Sequence, residues 1–340
     1  MMELTFLLAL LACPAVLCTT TTLGGDDSQY VNITILHRAT TEGAAAVCLD
    51  GSPPAYHLDM GHGSGLRSWI IVMDGGAWCQ SIPDCLSRST TNLGSSKHMK
   101  KVSWFAGVLY HNPQNNPEFY NWNRVRVKYC DGSSFTGDVE QVDPDNKLFF
   151  RGARIFNAIM EDLGSKGMQY AENAILSGIS AGGLATILNC NKFKSLLPKD
   201  VRVKCVADAG FFINGQTISG ASDIQEMYQR VVTLHESAKN LPLSCTSAME
   251  PSLIENILVP KYLDRQHVWD DCKKQISNCT FSQRLIIQVF GVEFLKVFEG
   301  LTPSFTRGYF TTSCHSHGAI LSNNYWFSPT SPRLIHKDNW

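Results

Sequence analysis

Leu176-Ser177-Gly178-Ile179-Ser180-Ala181-Gly182-Gly183 is the stretch from which the fold is read. It continues the short apolar run Ala174-Ile175-Leu176. It precedes Leu184, Ile187 and Leu188, whose spacing puts them on one face of a helix. A serine between two glycines at a strand-to-helix junction has the pattern of a nucleophile elbow. There the serine occupies a strained turn, and small neighbours let strand and helix approach closely. The helix N-terminus behind the serine favours negative charge. A plain glycine-rich turn is the competing reading, and the strand before and helix after Ser180 speak against it.

Working outward, Val201, Val203, Cys205 and Val206 predict the next strand. Upstream, Ala153, Ile155, Phe156, Ile159, Met160 and Leu163 have helical spacing, with a stop expected at Gly164. Val125 to Tyr129 is a strand candidate. Trp69-Ile70-Ile71-Val72-Met73 is a continuous apolar run, as expected of a strand covered on both faces. Residues 31–36 and 55–58 alternate like antiparallel edge strands. Strand, helix, strand, helix, strand in this order implies an α/β fold with a mostly parallel central sheet and helices on both faces. Leu285, Ile286, Val289, Phe290, Phe294, Leu295 and Phe298 predict a later amphipathic helix.

An ester-cleaving serine needs donors for the developing oxyanion. Asp74-Gly75-Gly76-Ala77-Trp78-Cys79 follows directly on the buried run at 69–73, where esterases carry such a loop. The N–H groups of Gly76, Ala77 and Ala181 are the candidate donors. The general base is expected late in the chain. His317 is the candidate, with His315 its local competitor; His235, His267 and His336 read as surface residues. A His-x-His metal site is the alternative, and no partnering carboxylate or cysteine pattern supports it. No metal and no cofactor is expected.

With 340 residues, 44% of them hydrophobic and 17% charged, the chain can bury one large core. A net charge of -1 gives no basic excess to draw nucleic acid or an anionic membrane surface. The apolar stretch from Leu4 to about Cys18 is too short to span a bilayer and fits a signal peptide over 1–22, although a basic n-region is missing. Of 12 cysteines, Cys13 and Cys18 fall within it. The remaining ten read as a disulfide framework, with Cys79/Cys85 and Cys272/Cys279 as natural local loops and the other pairings open. Asn32 and Asn278 head N-glycosylation sequons. No linker or repeat divides residues 23–340, which are expected to form a single domain and a monomer.

In order along the chain, the segments at 48–56, 74–79, 129–133, 177–183, 207–210 and 313–317 resemble the plant pectin acetylesterases, to which the Notum-type carboxylesterases of animals are related. The resemblance runs from about 31 to about 334 and implies an α/β-hydrolase-like fold. The implied activity is removal of acetyl groups from cell-wall pectin by a secreted enzyme, with Ser180 as nucleophile and His317 as base. Acetylated pectin is the implied partner. The family also carries, after the position of Cys245, a buried strand and a turn that supplies the triad acid. Here that stretch is missing near 253/254, and the C-terminus is shortened. The triad acid is therefore unassigned: Asp208 matches a family position that is not the acid, and Asp264, Asp270 and Asp271 are the other aspartates between Ser180 and His317. The alternatives are a non-catalytic or poorly folded secreted variant, or a Notum-like lipid deacylase. Cys245 and Cys314 are expected to lack partners.

Overall fold

The computed structural model describes residues 29–40, 45–213, 223–242, 269–274, 276–299, 306–311 and 317–327. The signal-peptide region, Cys245, Asp264, His267, Cys314, His315 and His336 lie outside them.

Among the described residues seven strands form one sheet: β1 (Tyr30–Ile35), β2 (Ala55–Asp59), β3 (Ser68–Met73), β4 (Val102–Trp104), β5 (Asn123–Val127), β6 (Asn173–Ile179) and β7 (Arg202–Asp208), in the order β4-β1-β2-β5-β3-β6-β7. Strands β5, β3, β6 and β7 run parallel, while β4, β1 and β2 join by antiparallel pairing. The sheet is thus mixed, and its parallel half carries the serine. The alternating stretches at 31–36 and 55–58 are strands, but neither is an edge. The edge of the antiparallel half is the three-residue β4, too short to leave a periodic signal.

Alternation along β3 explains why its whole run is apolar. Trp69, Ile71 and Met73 enter one core with Ile155, Phe156 and Ile159 of α2 (Gly152–Ser165) and Ala185 and Phe193 of α3 (Ala181–Ser195). Ile70 and Val72 point the other way, into a second core with Val31, Phe105, Leu109 and Ile320. Each such aliphatic side chain contributes ~1.5–3 kcal/mol by burial. Helix α2 runs one residue past the expected stop at Gly164, because the chain turns only after Lys166.

Four disulfides join described residues. Cys79–Cys85 and Cys272–Cys279 close the local loops; Cys48–Cys130 and Cys190–Cys205 are the pairings the sequence left open. Cys48–Cys130 spans 82 residues and ties the approach to β2 to the exit of β5. Both sequon asparagines, Asn32 and Asn278, are exposed.

One further expectation is corrected. His235 is not a surface residue: it follows α4 (Asp223–Leu234) and is fully buried. Its Nε2–H donates to the Cys79 carbonyl at 2.9 Å, and its ring meets the Phe150 ring edge-on. Burial pushes its pKa down to about 4, against the opposing pull of the Cys79 hydrogen bond. The folded chain therefore refuses a proton that the unfolded chain accepts below about pH 6.5. As pH falls from about 6.5 towards 4, His235 withdraws up to ~3 kcal/mol of stability. Urea unfolding of His235→Gln, which keeps a donor for Cys79, should show a flatter decline of stability between pH 7 and 4.5 than the parent. An unchanged slope refutes this assignment.

The expected late amphipathic helix is present. It forms as Phe281–Glu299 (α6, after the short α5, Asp270–Lys274), and Phe294 and Phe298 meet Phe211. Yet Leu285, Val289, Val292 and Leu295 of its apolar residues are each at least half exposed.

Candidate active site

Strand β6 ends at Ile179 and α3 begins at Ala181, so the turn between them is Ser180 alone. Its backbone sits at φ 59°, ψ -125°, a region that only glycine adopts without strain. The turn is held from both sides: Ser180 N–H donates to the Asp208 carbonyl at 2.9 Å, and Leu184 N–H donates to the Ser180 carbonyl at 2.9 Å. Gly178 is required because a Cβ there would lie 2.1 Å from the Gly182 carbonyl oxygen. Strand and helix touch backbone to backbone at the elbow.

The loop after β3 lies against this turn. A Cβ on Gly75 would come within 2.3 Å of the Ile179 oxygen, 2.8 Å of the Ser180 Cβ and 3.1 Å of the Ala181 nitrogen. The backbones of the two loops are therefore in contact at the serine. The N–H groups of Gly76, Ala77 and Ala181 donate to no described residue, which leaves them open for an incoming oxyanion.

A strained serine lies here against a loop of open amides. The family model described as Pectinacetylesterase matches residues 25–254 and 252–339. The chain belongs to the pectinacetylesterase family. It is 48% identical to pectin acetylesterase 11 of Arabidopsis thaliana over 335 residues, covering 91% of this chain and 85% of that one. It is 46% identical to pectin acetylesterase 7 of the same plant, covering 90% and 84%. Among solved structures it is similar to the Wnt deacylase Notum from Drosophila, with a TM-score of 0.58, 25% identity and 65% of each chain covered. The fold is α/β-hydrolase-like. The two matched stretches of the family model meet at 252–254, where the sequence reading places the missing segment.

Gly75, Gly76, Ala77, Ser180 and His317 all line one cleft of ≈ 760 Å³. Ser180 is buried and His317 is exposed at the rim. The structure brings the two to the same cleft without a hydrogen bond between them. Neither Asp270 nor Asp271, at the start of α5, lines it.

Two features of the site escaped sequence reasoning. Asp74 opens the loop and lines the cleft, paired with Arg126 (Nε to Oδ1, 2.7 Å) and with Lys128. Burial raises its pKa, but Arg126 and Lys128 outweigh burial and hold the carboxyl below the usual range. The alternating charges at Arg126, in β5, and Lys128, just after it, were the signal available for this ion cluster.

The second feature is Asp208. It ends β7, and its Oδ2 accepts the N–H of Ala319 (2.5 Å) and of Ile320 (2.9 Å), two and three residues beyond His317. The Ile320 side chain is itself buried in the second core. Asp208 thus anchors the loop that carries the histidine. Asp208→Ala should cost about 2 kcal/mol, as expected for losing hydrogen bonds to a charged acceptor, and lower kcat on nitrophenyl acetate about 10-fold through a loosened His317. Asp208→Asn, which keeps an acceptor, should lose less of both. Urea midpoints and steady-state kinetics read the two effects, and equal behaviour of the two variants contradicts the anchor.

Proposed function

We propose that this chain is a secreted serine carboxylesterase that removes acetyl groups from pectin of the plant cell wall. The observation that carries the reading is the contact of Gly75 with Ser180 and Ala181: it sets a nucleophile on a strained turn directly against a loop of open amides. Family membership supports the substrate, since the Arabidopsis relatives are named for pectin acetyl esters.

In the proposed reaction the Ser180 hydroxyl attacks the acetyl carbonyl while His317 takes its proton. The amides of Gly76, Ala77 and Ala181 hold the oxyanion, helped by the positive end of α3. The sugar hydroxyl leaves with the proton from His317, and water then releases acetate from the serine. Residues 1–22 are the proposed signal peptide, 23–340 a single domain shortened internally near 253/254, and Asn32 and Asn278 the glycosylation sites. The proposed working form is a monomer.

The test is acetate release from acetylated pectin by the secreted chain, set beside nitrophenyl esters of increasing acyl length. Acetate release with preference for acetyl over octanoyl is expected. Preference for octanoyl indicates a lipid deacylase, and a folded protein that cleaves none of them indicates a non-catalytic relative.

A further inference from the structure

The oxyanion loop is clamped from behind. Arg88 lies in α1 (Ile82–Ser89), a helix capped by the Ser81 hydroxyl and tied back to the loop's last residue by the Cys79–Cys85 disulfide. From there its guanidinium reaches three carbonyl oxygens: Gly76 at 2.7 Å, Leu93 at 3.1 Å and Ala77 at 3.4 Å. The buried Tyr129 adds its hydroxyl to the Ala77 oxygen at 2.8 Å, and Arg88 lies over the Tyr129 ring. Arg88 is not part of the cleft lining, whereas Gly76 and Ala77 are.

These contacts set a direction. The Gly76–Ala77 peptide is trans, so its carbonyl and its N–H point to opposite sides. A carbonyl drawn towards Arg88 turns the Ala77 N–H away from Arg88, towards the cleft. Ala77 also holds φ at +55°, a conformation that a non-glycine residue keeps only when its surroundings impose it. A planar guanidinium with several donors in a fixed fork can hold adjacent carbonyls at once.

We infer that Arg88 is a positioning residue for ester hydrolysis, with Tyr129 as its helper: it aims the Ala77 amide at the oxyanion. The Cys79–Cys85 staple keeps α1 where Arg88 can act. The inference rests on the esterase reading of the site.

The test compares the full-length secreted protein with Arg88→Ala, Arg88→Lys and Tyr129→Phe. Readouts are nitrophenyl acetate kinetics, labelling of Ser180 by a fluorophosphonate, and thermal melting. Arg88→Ala should lower kcat and labelling rate together by about 100-fold, the scale of one lost oxyanion donor, with KM within twofold. Arg88→Lys should recover part of kcat, because one donor returns without the fork. Tyr129→Phe, which deletes a single hydroxyl, should lower kcat about threefold to tenfold with KM unchanged, and it decides the matter should Arg88→Ala not fold. Variants with the parent's kcat and labelling rate overturn the clamp alone, as does a kcat loss matched by a rise in KM and not relieved by lysine. Absence of labelling in the parent sinks the esterase reading and the clamp with it.

Discussion

Ser180→Ala should abolish phosphonate labelling and most ester hydrolysis while leaving thermal stability within ~0.5 kcal/mol of the parent. Loss of a serine nucleophile costs about 10⁶-fold in kcat where the whole triad is in place, and losses within a triad are not additive. With the acid already missing, Ser180→Ala should therefore lower kcat by roughly 10²-fold, down to what binding and the oxyanion donors sustain. Stability should barely move, because alanine inherits the same strained backbone at φ 59°, ψ -125°. Ser180→Gly separates chemistry from strain. Glycine relieves ~1–3 kcal/mol of backbone strain and surrenders ~0.5–1 kcal/mol of chain entropy. Ser180→Gly should therefore be as inactive as the alanine variant and more stable than the parent by about 1 kcal/mol. Mass spectrometry of the labelled protein and melting curves read both. Continued labelling of Ser180→Ala at the parent's rate places the nucleophile elsewhere.

The second large effect is a gain. Grafting the corresponding stretch of Arabidopsis pectin acetylesterase 11 at 252–254 should raise acetate release by up to ~10⁴-fold, the scale set by removal of the triad acid in a serine protease. It should also raise stability by several kcal/mol. Strands of a parallel sheet are normally covered on both faces, but among the described residues β7 is an edge, with Val206 46% exposed and neighbours that alternate between exposed and half-buried. Leu285, Val289, Val292 and Leu295 of α6 are likewise exposed. An added strand would pair with β7, and its apolar flanks would shield such surface at ~25 cal/mol per Å². Its aspartate would orient His317, which makes no hydrogen bond to a described carboxylate. The control is the same graft with that aspartate changed to asparagine, which should stay stable and lose the rate gain. A folded graft no faster than the parent, or an asparagine control equal to the graft, refutes the proposal that the acid is what this chain lacks.

By itself the sequence determined the elements that local patterns specify. The elbow was legible because Gly178, Ser180 and Gly182 sit between an apolar run and a helical repeat. Strand β3 was legible from a short apolar run of the kind a doubly covered strand carries, and the two short disulfide loops from cysteines six and seven residues apart. Pairings across long stretches of chain were decided by the tertiary structure. It placed β1 and β2 inside the sheet and joined Cys48 to Cys130. It buried His235 against Cys79, laid Asp208 on the histidine loop and set Arg88 behind the oxyanion loop. The physical reason is range: turn strain and hydrophobic period act over a few residues and leave a mark in the chain order. A carboxylate or guanidinium finds its partner only after packing has chosen which backbone groups remain without one.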